Sequence, residues 1–376
     1  NTAFIVSNSL TPQEMLAYAG NIQALIRDKL DNFFTHNPVT TRLIHDQAMQ
    51  AKQQIDLAEQ SSQAIVPNLP KVEHVQIYGN INVVNFGNMI TGDSSIYADI
   101  KAQDALIMAL MGDLTIESLK ERYGDQQNFH DKLHRARVSA SNILKLVSGG
   151  NIIFKGAETH GGLINDMLAL KTIIDVPVDL QYQRIEKFYS ENSEIMRTRI
   201  GSMPSVSKHS SNNTVNMSGK AGVYLCAQEV EALTFNVQSE NGKGAITDAV
   251  KTNIEIEQSI TEKSSVFGLV TTKTVEHTVQ VNQSSVGAKL KVKNFTMACK
   301  DGVALQNITS SAELNDLSST DGPVDFLLGH NHSTISSSKS KSNMWWQRNS
   351  SQRITSDTFS SSKFKGPVKV TANQVT

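Results

Sequence analysis

The chain has 376 residues, which excludes a mini-protein and fits either several ordinary domains or one long domain. Apolar residues make up 39% and charged residues only 19%, below the usual quarter, with Ser, Thr, Asn and Gln in their place. Together with 8 prolines and 6% aromatic residues, this composition disfavours a soluble helical enzyme and is ordinary for a long stack of short strands.

The formal net charge is −1, from 35 basic and 36 acidic residues, so no global field draws the chain to nucleic acid or to an anionic membrane. Nucleic acid is therefore not expected as a partner. The longest apolar run, Ala105 to Met111, is far shorter than the roughly 20 residues that cross a bilayer, so no transmembrane segment is expected. The chain begins at Asn1 without a basic and apolar leader, and we interpret it as a processed or excised piece.

The first 70 residues differ in pattern from the rest. Thr11, Pro12 and Glu14 fit an N-cap, a first-turn proline and the acid of a capping box, and apolar residues then recur on one helical face. This pattern predicts a helix over residues 12–32. A second start at Asn37 and Pro38 predicts a weakly amphipathic helix through residue 63. Residues 1–70 are thus predicted to form a helical hairpin or connecting segment.

From residue 71 onwards, short apolar stretches alternate with polar corners. Asp93, Asp104 and Asp113 are 11 and then 9 residues apart, which makes 20 residues in all. The corners at Asn142 and Gly162 are also 20 residues apart. The stretches between corners are too short for helices, so each is predicted as a strand. These stretches are Leu106–Met111, Leu114–Ile116, Ile143–Val147 and Ile152–Phe154, with further strand signals at Gly222–Leu225, Ala232–Val237, Val275–Val281, Lys289–Phe295 and Val303–Ile308.

A fixed period near 20 with no helix inside it is typical of a parallel β-helix, in which each coil buries its inward residues against its neighbours. The fold is therefore predicted to be mainly β, a right-handed parallel β-helix over residues 71–376. Loop excursions are predicted at about residues 117–137, 177–213 and 330–350. The serine-rich Ser336–Ser342 is predicted as a mobile loop, and glycines at corners, including Gly112 and Gly150, are predicted to supply positive φ.

Three segments in this order resemble the haemagglutinin-repeat region of filamentous-haemagglutinin-type exoproteins, which include the large contact-dependent growth-inhibition proteins of Gram-negative bacteria. The segments are Gly79 to Asp93 (GNINVVNFGNMITGD), Gly112 to Tyr123 (GDLTIESLKERY) and Ser148 to Glu158 (SGGNIIFKGAE). Leu10 to Leu16 (LTPQEML) is similar to a helix that precedes these repeats in the family, although the family's following Trp-Leu is absent. The resemblance covers about 300 of the 376 positions.

The resemblance implies a β-helical shaft that a two-partner outer-membrane transporter exports to the outer surface or the medium of a Gram-negative bacterium. Activity in such proteins lies at the ends, as an adhesive region or a toxin, and no secretion or toxin module is recognised here. We therefore expect a non-catalytic shaft segment of an adhesin or of a contact-dependent toxin-delivery protein. A target-cell receptor or glycan is its expected partner, and no cofactor or metal is expected.

The alternative from another class is a β-helical carbohydrate-active enzyme, a polysaccharide lyase or hydrolase. Such enzymes need two carboxylates, or a carboxylate and a cation, at a fixed separation on one sheet. Asp93, Asp104 and Asp113 instead fall at corners, where acidic residues serve turn chemistry. This placement favours the non-catalytic reading.

Two histidine pairs have spacings that occur in metal sites. His130 and His134 in HDKLH are four apart, as on a zinc-binding helix, but the motif lacks the glutamate of a metalloprotease. His330 and His332 in GHNH have no third ligand within a short span of sequence. We interpret the first pair as part of a charged surface excursion and the second as part of a polar loop.

The rarest residue types leave two questions open. Trp345 and Trp346 either form an exposed aromatic contact for a partner or glycan, or plug the side or end of a core. Cys226 and Cys299 are too few for a disulfide scaffold and lack the spacing of metal ligands, and the sequence does not decide whether they pair.

Overall fold

The computed structural model describes residues 4–5, 74–83, 86–90, 92–124, 129–175, 182–190, 206–264 and 270–376. Every helix or strand within these ranges is a β-strand, which confirms the mainly β fold class. The helical hairpin predicted over residues 12–32 and 37–63 lies outside the described residues. The described ranges contain no helix that is long and apolar enough to span a membrane.

The strands are short in most of the chain and longer in its last third. Those of the first half are β1 (Phe4–Ile5), β2 (His74–Val83), β3 (Phe86–Ile90), β4 (Asp93–Ala102), β5 (Ala105–Leu110), β6 (Leu114–Glu117), β7 (Leu119–Gly124), β8 (Phe129–His134), β9 (Arg137–Ala140), β10 (Ile143–Ser148), β11 (Asn151–Lys155), β12 (Glu158–Gly161), β13 (Ile164–Ala169), β14 (Lys171–Asp175) and β15 (Tyr182–Ser190). Those of the second half are β16 (Lys208–Ser211), β17 (Thr214–Gly219), β18 (Val223–Cys226), β19 (Glu229–Ser239), β20 (Gly244–Thr247), β21 (Ala249–Ser264), β22 (Thr271–Val286), β23 (Lys289–Cys299), β24 (Val303–Gln306), β25 (Thr309–Ser310), β26 (Leu314–Ser319), β27 (Val324–Leu327), β28 (Gly329–Ser342), β29 (Gln347–Ser360), β30 (Lys363–Phe364) and β31 (Val368–Thr371).

The described strands form three sheets. The main sheet has 24 strands, and all its pairings are parallel except that of β1 with β3. The side sheet has five strands in the order β15-β21-β22-β28-β29, and β7 with β8 forms a separate antiparallel hairpin. The prediction of a large set of parallel strands is confirmed.

The parallel pairings of the main sheet run in three series. The first series is β3, β5, β10, β13, β17, the second half of β19, the second half of β23, β26 and β31. The second is the first halves of β2 and β4, then β6, β11, β14, β18, β20, β24 and β27. The third is the second halves of β2 and β4, then β9, β12, β16, the first halves of β19 and β23, β25 and β30.

Short and long connections alternate along these series. The Asp113 amide donates to the carboxylate of Asp93, 20 residues earlier, whereas the Asn151 amide donates to that of Asp113, 38 residues earlier. The longer connections contain the β7–β8 hairpin and the strands of the side sheet. Each of these insertions leaves after a strand of the second series and returns before a strand of the third. The insertions therefore emerge at equivalent places in the fold.

The predicted excursions can now be placed. Residues 117–137 contain β7 and β8, residues 177–213 contain β15 but also the main-sheet strand β16, and residues 330–350 fall within the β28–β29 hairpin. The mobile loop predicted at Ser336–Ser342 is wrong, because these residues belong to β28 and pair on both sides with β22 and β29. Serine content alone does not prevent strand pairing, since the ladder bonds come from the backbone.

The core of the main sheet is apolar and continuous along the pairing series. Inward positions of neighbouring strands hold fully buried side chains, among them Leu106, Leu144 and Phe154. Phe235 and Phe295 lie opposite each other on adjacent strands, and their rings stack with centroids 5.5 Å apart. Each strand thus buries its apolar residues against its neighbours in the series, which is the local source of stability expected of a stacked repeat.

Candidate functional site

The corner aspartates hold turns together. Asp93 Oδ1 accepts the Asp113 amide at 2.7 Å, and Asp113 Oδ1 accepts the Asn151 amide at 2.7 Å. Asp104 Oδ1 accepts the side-chain amide of Asn142, also at 2.7 Å. The prediction that these acids serve turn chemistry is confirmed.

Glycine is required at the corners for a different reason from the one predicted. Gly112 and Gly150 do not have positive φ, so that prediction is wrong. A β carbon at Gly112 would lie 2.7 Å from the backbone of Gly92, and one at Gly150 would meet the Asp113 carboxylate and lie 3.0 Å from the Gly112 carbonyl carbon. Close contact between stacked turns therefore requires glycine here. The described glycines with positive φ are Gly124, Gly156, Gly222 and Gly302.

The HDKLH segment lies on a strand rather than a helix. His130 and His134 belong to β8, and residues four apart on a strand are separated by about 13 Å, too far to share an ion. His134 Nε2 instead lies 2.8 Å from Glu121 Oε2 on the paired strand β7. The side chains of His134 and Glu121 are both exposed, so their contact lies on the surface of the β7–β8 hairpin.

The two tryptophans occupy the exposed turn of the β28–β29 hairpin. Asn343 Oδ1 accepts the backbone amides of Trp345 at 2.8 Å and Trp346 at 3.0 Å, which fixes the turn. Trp345 is 75% exposed and Trp346 is 44% exposed, so the core-plug alternative is wrong. The Lys341 ammonium lies 5.9 Å from the Trp346 ring centroid. This tip is an aromatic surface of the kind that binds partners or glycans.

Both cysteines are thiols. Cys299 lies in the core, and burial raises the pKa of its thiol to about 12, so it is inert near neutral pH. The Cys226 thiol donates a hydrogen bond of 3.4 Å to the Asp248 carbonyl. The question that the sequence left open is answered, because no disulfide joins these two residues.

Two buried polar groups in the main sheet were missed by sequence reasoning. Lys145 lies opposite Asp166 in register, and both are less than a tenth exposed. Burial lowers the pKa of Lys145 although the Asp166 charge opposes this, and burial raises the pKa of Asp166 against the effects of Lys145 and Asn216. A lysine inside the apolar run at 143–147 was the available sequence signal.

His209 is the second such group. Its ring is fully buried edge-on to Phe154, and its Nδ1 lies 2.8 Å from the hydroxyl of Thr159. Thr159 also accepts the side-chain amide of Asn165 at 2.7 Å. Burial lowers the pKa of His209 to about 3, so the ring is neutral over the physiological range. His209 Nε2 is buried without a hydrogen-bond partner.

The second histidine pair acquires a third partner through strand pairing. His330 and His332 lie in β28, so the polar-loop interpretation is wrong, and Asp357 lies opposite His332 on β29. Asp357 Oδ1 is 2.7 Å from His332 Nδ1 and 2.9 Å from His330 Nε2. Hydrogen bonds from His332 and then His330 hold the pKa of the Asp357 carboxyl below its usual range.

The potential ligand atoms of these three residues all lie within 4.8 Å of one another. Among the described residues, this is the group of His, Cys, Asp and Glu side chains placed to share a metal ion. They form a histidine–aspartate cluster at the root of the β28–β29 hairpin, on the solvent-facing side sheet. Asp357 is 25 residues from His332 in sequence, which is why spacing rules missed it. A hairpin turn placed at residues 343–346 would have brought them together.

Comparisons with known proteins return no match. No protein-family model matches the sequence, and neither the curated proteins nor the solved structures contain a significant match. The haemagglutinin-repeat resemblance therefore rests on the sequence blocks themselves, and the function is argued from the geometry.

Proposed function

We propose that the chain is a non-catalytic shaft segment, folded as a right-handed parallel β-helix, of a secreted or cell-surface bacterial adhesin or contact-dependent toxin-delivery protein. The observation that carries this proposal is the three-series parallel pairing, in which each strand stacks on the next copy of its own series. A coil that visits three series in turn is a solenoid coil. The right-handed choice follows the strong preference of parallel crossover connections.

Export through a two-partner outer-membrane transporter of a Gram-negative bacterium is part of the same proposal. A chain that is threaded unfolded must fold slowly before export and readily after it, and parallel stacks nucleate slowly and then propagate from coil to coil. Cys226 and Cys299 do not form a disulfide, so no covalent loop blocks the passage. The haemagglutinin-repeat blocks support the same route.

The corner aspartates favour this function over the polysaccharide-cleaving alternative. Asp93, Asp104 and Asp113 are each bound to a neighbouring turn, which uses their carboxylates for structure. The exposed Trp345 and Trp346 at the hairpin tip are the best-placed groups for a receptor or glycan. Contact by the inserted hairpin, with the stacked coils as support, is the mechanism that we propose.

Solution scattering of the purified chain tests the architecture. The nine strands of the first series, at about 4.8 Å per step, give a stack about 40 Å long, and the 16-residue strands of the side sheet extend for about 50 Å. A compact globular protein of 376 residues would have a radius of gyration of about 21 Å. We expect a larger value and a profile that is not spherical, because the side sheet lies outside the apolar core of the stack. A sphere-like profile would overturn the β-helical shaft.

Two binding experiments test the role. Labelled protein is expected to bind bacterial or host cell surfaces or immobilised glycans, and Trp345→Ala with Trp346→Ala is expected to reduce that binding. Leu163→Ala, at a main-sheet corner with 49% exposure, is the matched control and should bind as the wild type does. Release of reducing or unsaturated ends from acidic polysaccharides would instead support the enzyme alternative.

A further inference from the structure

We propose that His330, His332 and Asp357 form a zinc-binding site that ties β28 to β29 at the root of the hairpin. Metal binding is a property beyond the shaft role, and it does not depend on export or adhesion. The proposal rests on the ligand geometry, on two positioning contacts and on the open face of the site.

Strand register brings the ligands together. His330 and His332 are two apart on β28 and therefore point to the same face, and Asp357 lies directly across from His332 on β29. Their ligand atoms lie within 4.8 Å of one another, with two of the separations at 2.7 and 2.9 Å. Tetrahedral zinc with bonds of about 2.0–2.2 Å places its ligand atoms about 3.3 Å apart. Side-chain shifts of about 1 Å accommodate this geometry.

Each histidine has a contact that orients its ring. The His330 ring stacks on Phe359, its cross-strand neighbour, with centroids 5.2 Å apart and 23° between the planes. His332 Nε2, on the far side of the ring from Asp357, lies 2.9 Å from the Thr334 hydroxyl. Metal-bound histidines usually donate their second nitrogen to such a partner, which fixes the tautomer. Thr334 is therefore a positioning residue and not a ligand.

The same side chains are partners of one another with and without the ion. Without zinc, the ring N–H groups of His330 and His332 that face Asp357 donate to its carboxylate, and the Thr334 hydroxyl donates to His332 Nε2. With zinc, each neutral imidazole carries its proton on the other nitrogen, and His332 Nε2–H donates to Thr334 Oγ1. Apart from the shifts of the ligand side chains, only tautomers and a hydroxyl rotor change, because each neutral imidazole keeps one proton.

The ligand types favour zinc or another first-row transition ion over calcium and magnesium. Two imidazoles and one carboxylate suit zinc, whereas calcium and magnesium prefer sites built wholly from oxygen. The side chains of His330, His332 and Asp357 are 54%, 31% and 49% exposed, so water can complete the coordination. The ligands belong to both strands of the hairpin, so the ion would secure β29 at the edge of the side sheet.

Calorimetric titration of the untagged full chain with zinc chloride tests the proposal. We expect one zinc ion per chain, and at least a tenfold loss of affinity in His332→Ala and in Asp357→Asn. Thr334→Val keeps all three ligands and should weaken binding by about 10- to 100-fold, as outer-shell changes do. His277→Ala, in β22 of the same sheet, removes a histidine outside the cluster and should leave affinity unchanged.

Visible absorption of the cobalt(II) form reports the coordination itself. An intense d–d band in the wild type and in His277→Ala, lost in Asp357→Asn, is the expected result. The proposal is overturned if the wild type binds no stoichiometric zinc, or if the Asp357 and His332 variants bind as the wild type does. The circular dichroism spectrum of each metal-free variant shows whether it is folded. None of these results bears on scattering or cell binding, so the shaft proposal is tested separately.

Discussion

The main sheet and the side sheet are both built from strands, yet they are stabilised in opposite ways. The main sheet is almost wholly parallel and has an apolar core that includes Phe235 and Phe295. The side sheet has three antiparallel pairings and one parallel pairing, and it lies outside that core. In β29, 13 of the 14 residues are exposed. The side sheet is therefore stabilised mainly by hydrogen bonds between its strands and by weak surface ion pairs, such as that of Lys339 with Glu276. The comparison indicates that the main sheet carries most of the apolar burial and that the side sheet presents mainly polar, exposed residues.

Truncating one apolar side chain in each sheet gives the largest expected contrast. Phe235→Ala removes a stacked, fully buried ring and should lower the free energy of unfolding by about 3–5 kcal/mol. Ile354→Ala in β29 removes a side chain that is 52% exposed and should change it by less than about 0.5 kcal/mol. Denaturant unfolding measures both. Equal losses would mean that the side sheet has a core of its own.

Acid is expected to weaken the main sheet through His209. The pKa of its buried ring is lowered from 6.5 to about 3, so the unfolded chain binds the proton more readily. Its contribution is complete above pH 6.5 and is lost as the pH falls towards 3, by about 3 kcal/mol at pH 4. The measurement is the unfolding free energy from pH 7 to 4 in the wild type and in His209→Gln. The variant should show a shallower slope, and parallel curves would contradict a neutral buried His209.

Substitutions at the corners test whether space or φ requires glycine. Gly150→Ala and Gly150→Asn should both cost about 1–3 kcal/mol, because either β carbon meets the neighbouring turn. Gly156 has a φ of 64°, so there asparagine should be tolerated better than alanine. Thermal melting of the four variants makes the comparison. A clear advantage of asparagine over alanine at Gly150 would restore the positive-φ explanation.

Removing both thiols should have the smallest effect. Cys226→Ser with Cys299→Ser breaks no disulfide and should cost about 1 kcal/mol, mainly from burying a hydroxyl at position 299. The circular dichroism spectrum and melting temperature of the double variant should stay close to those of the wild type. If the variant fails to fold, or fails to reach the cell surface in an export assay, the threaded-export proposal loses its support.

The sequence by itself determined several strands of the main sheet and the chemistry of its corners. The strands predicted at Leu106–Met111 and Ile152–Phe154 match β5 and β11, and the aspartates of the turns were identified correctly. These features follow from local patterns of apolar residues and from a period near 20, which are legible without knowing which strands pair. The buried His209 gave no such local signal.

Only the tertiary structure decided how distant segments meet. The side sheet joins insertions from separate coils, and its register places Asp357 beside His332 although 25 residues separate them. The need for glycine at Gly112 likewise comes from the turn at Gly92 and Asp93, about 20 residues earlier. Periods and turns can be predicted from sequence because they depend on neighbouring residues, whereas contacts between distant strands depend on insertion lengths and register, which local preferences leave undetermined.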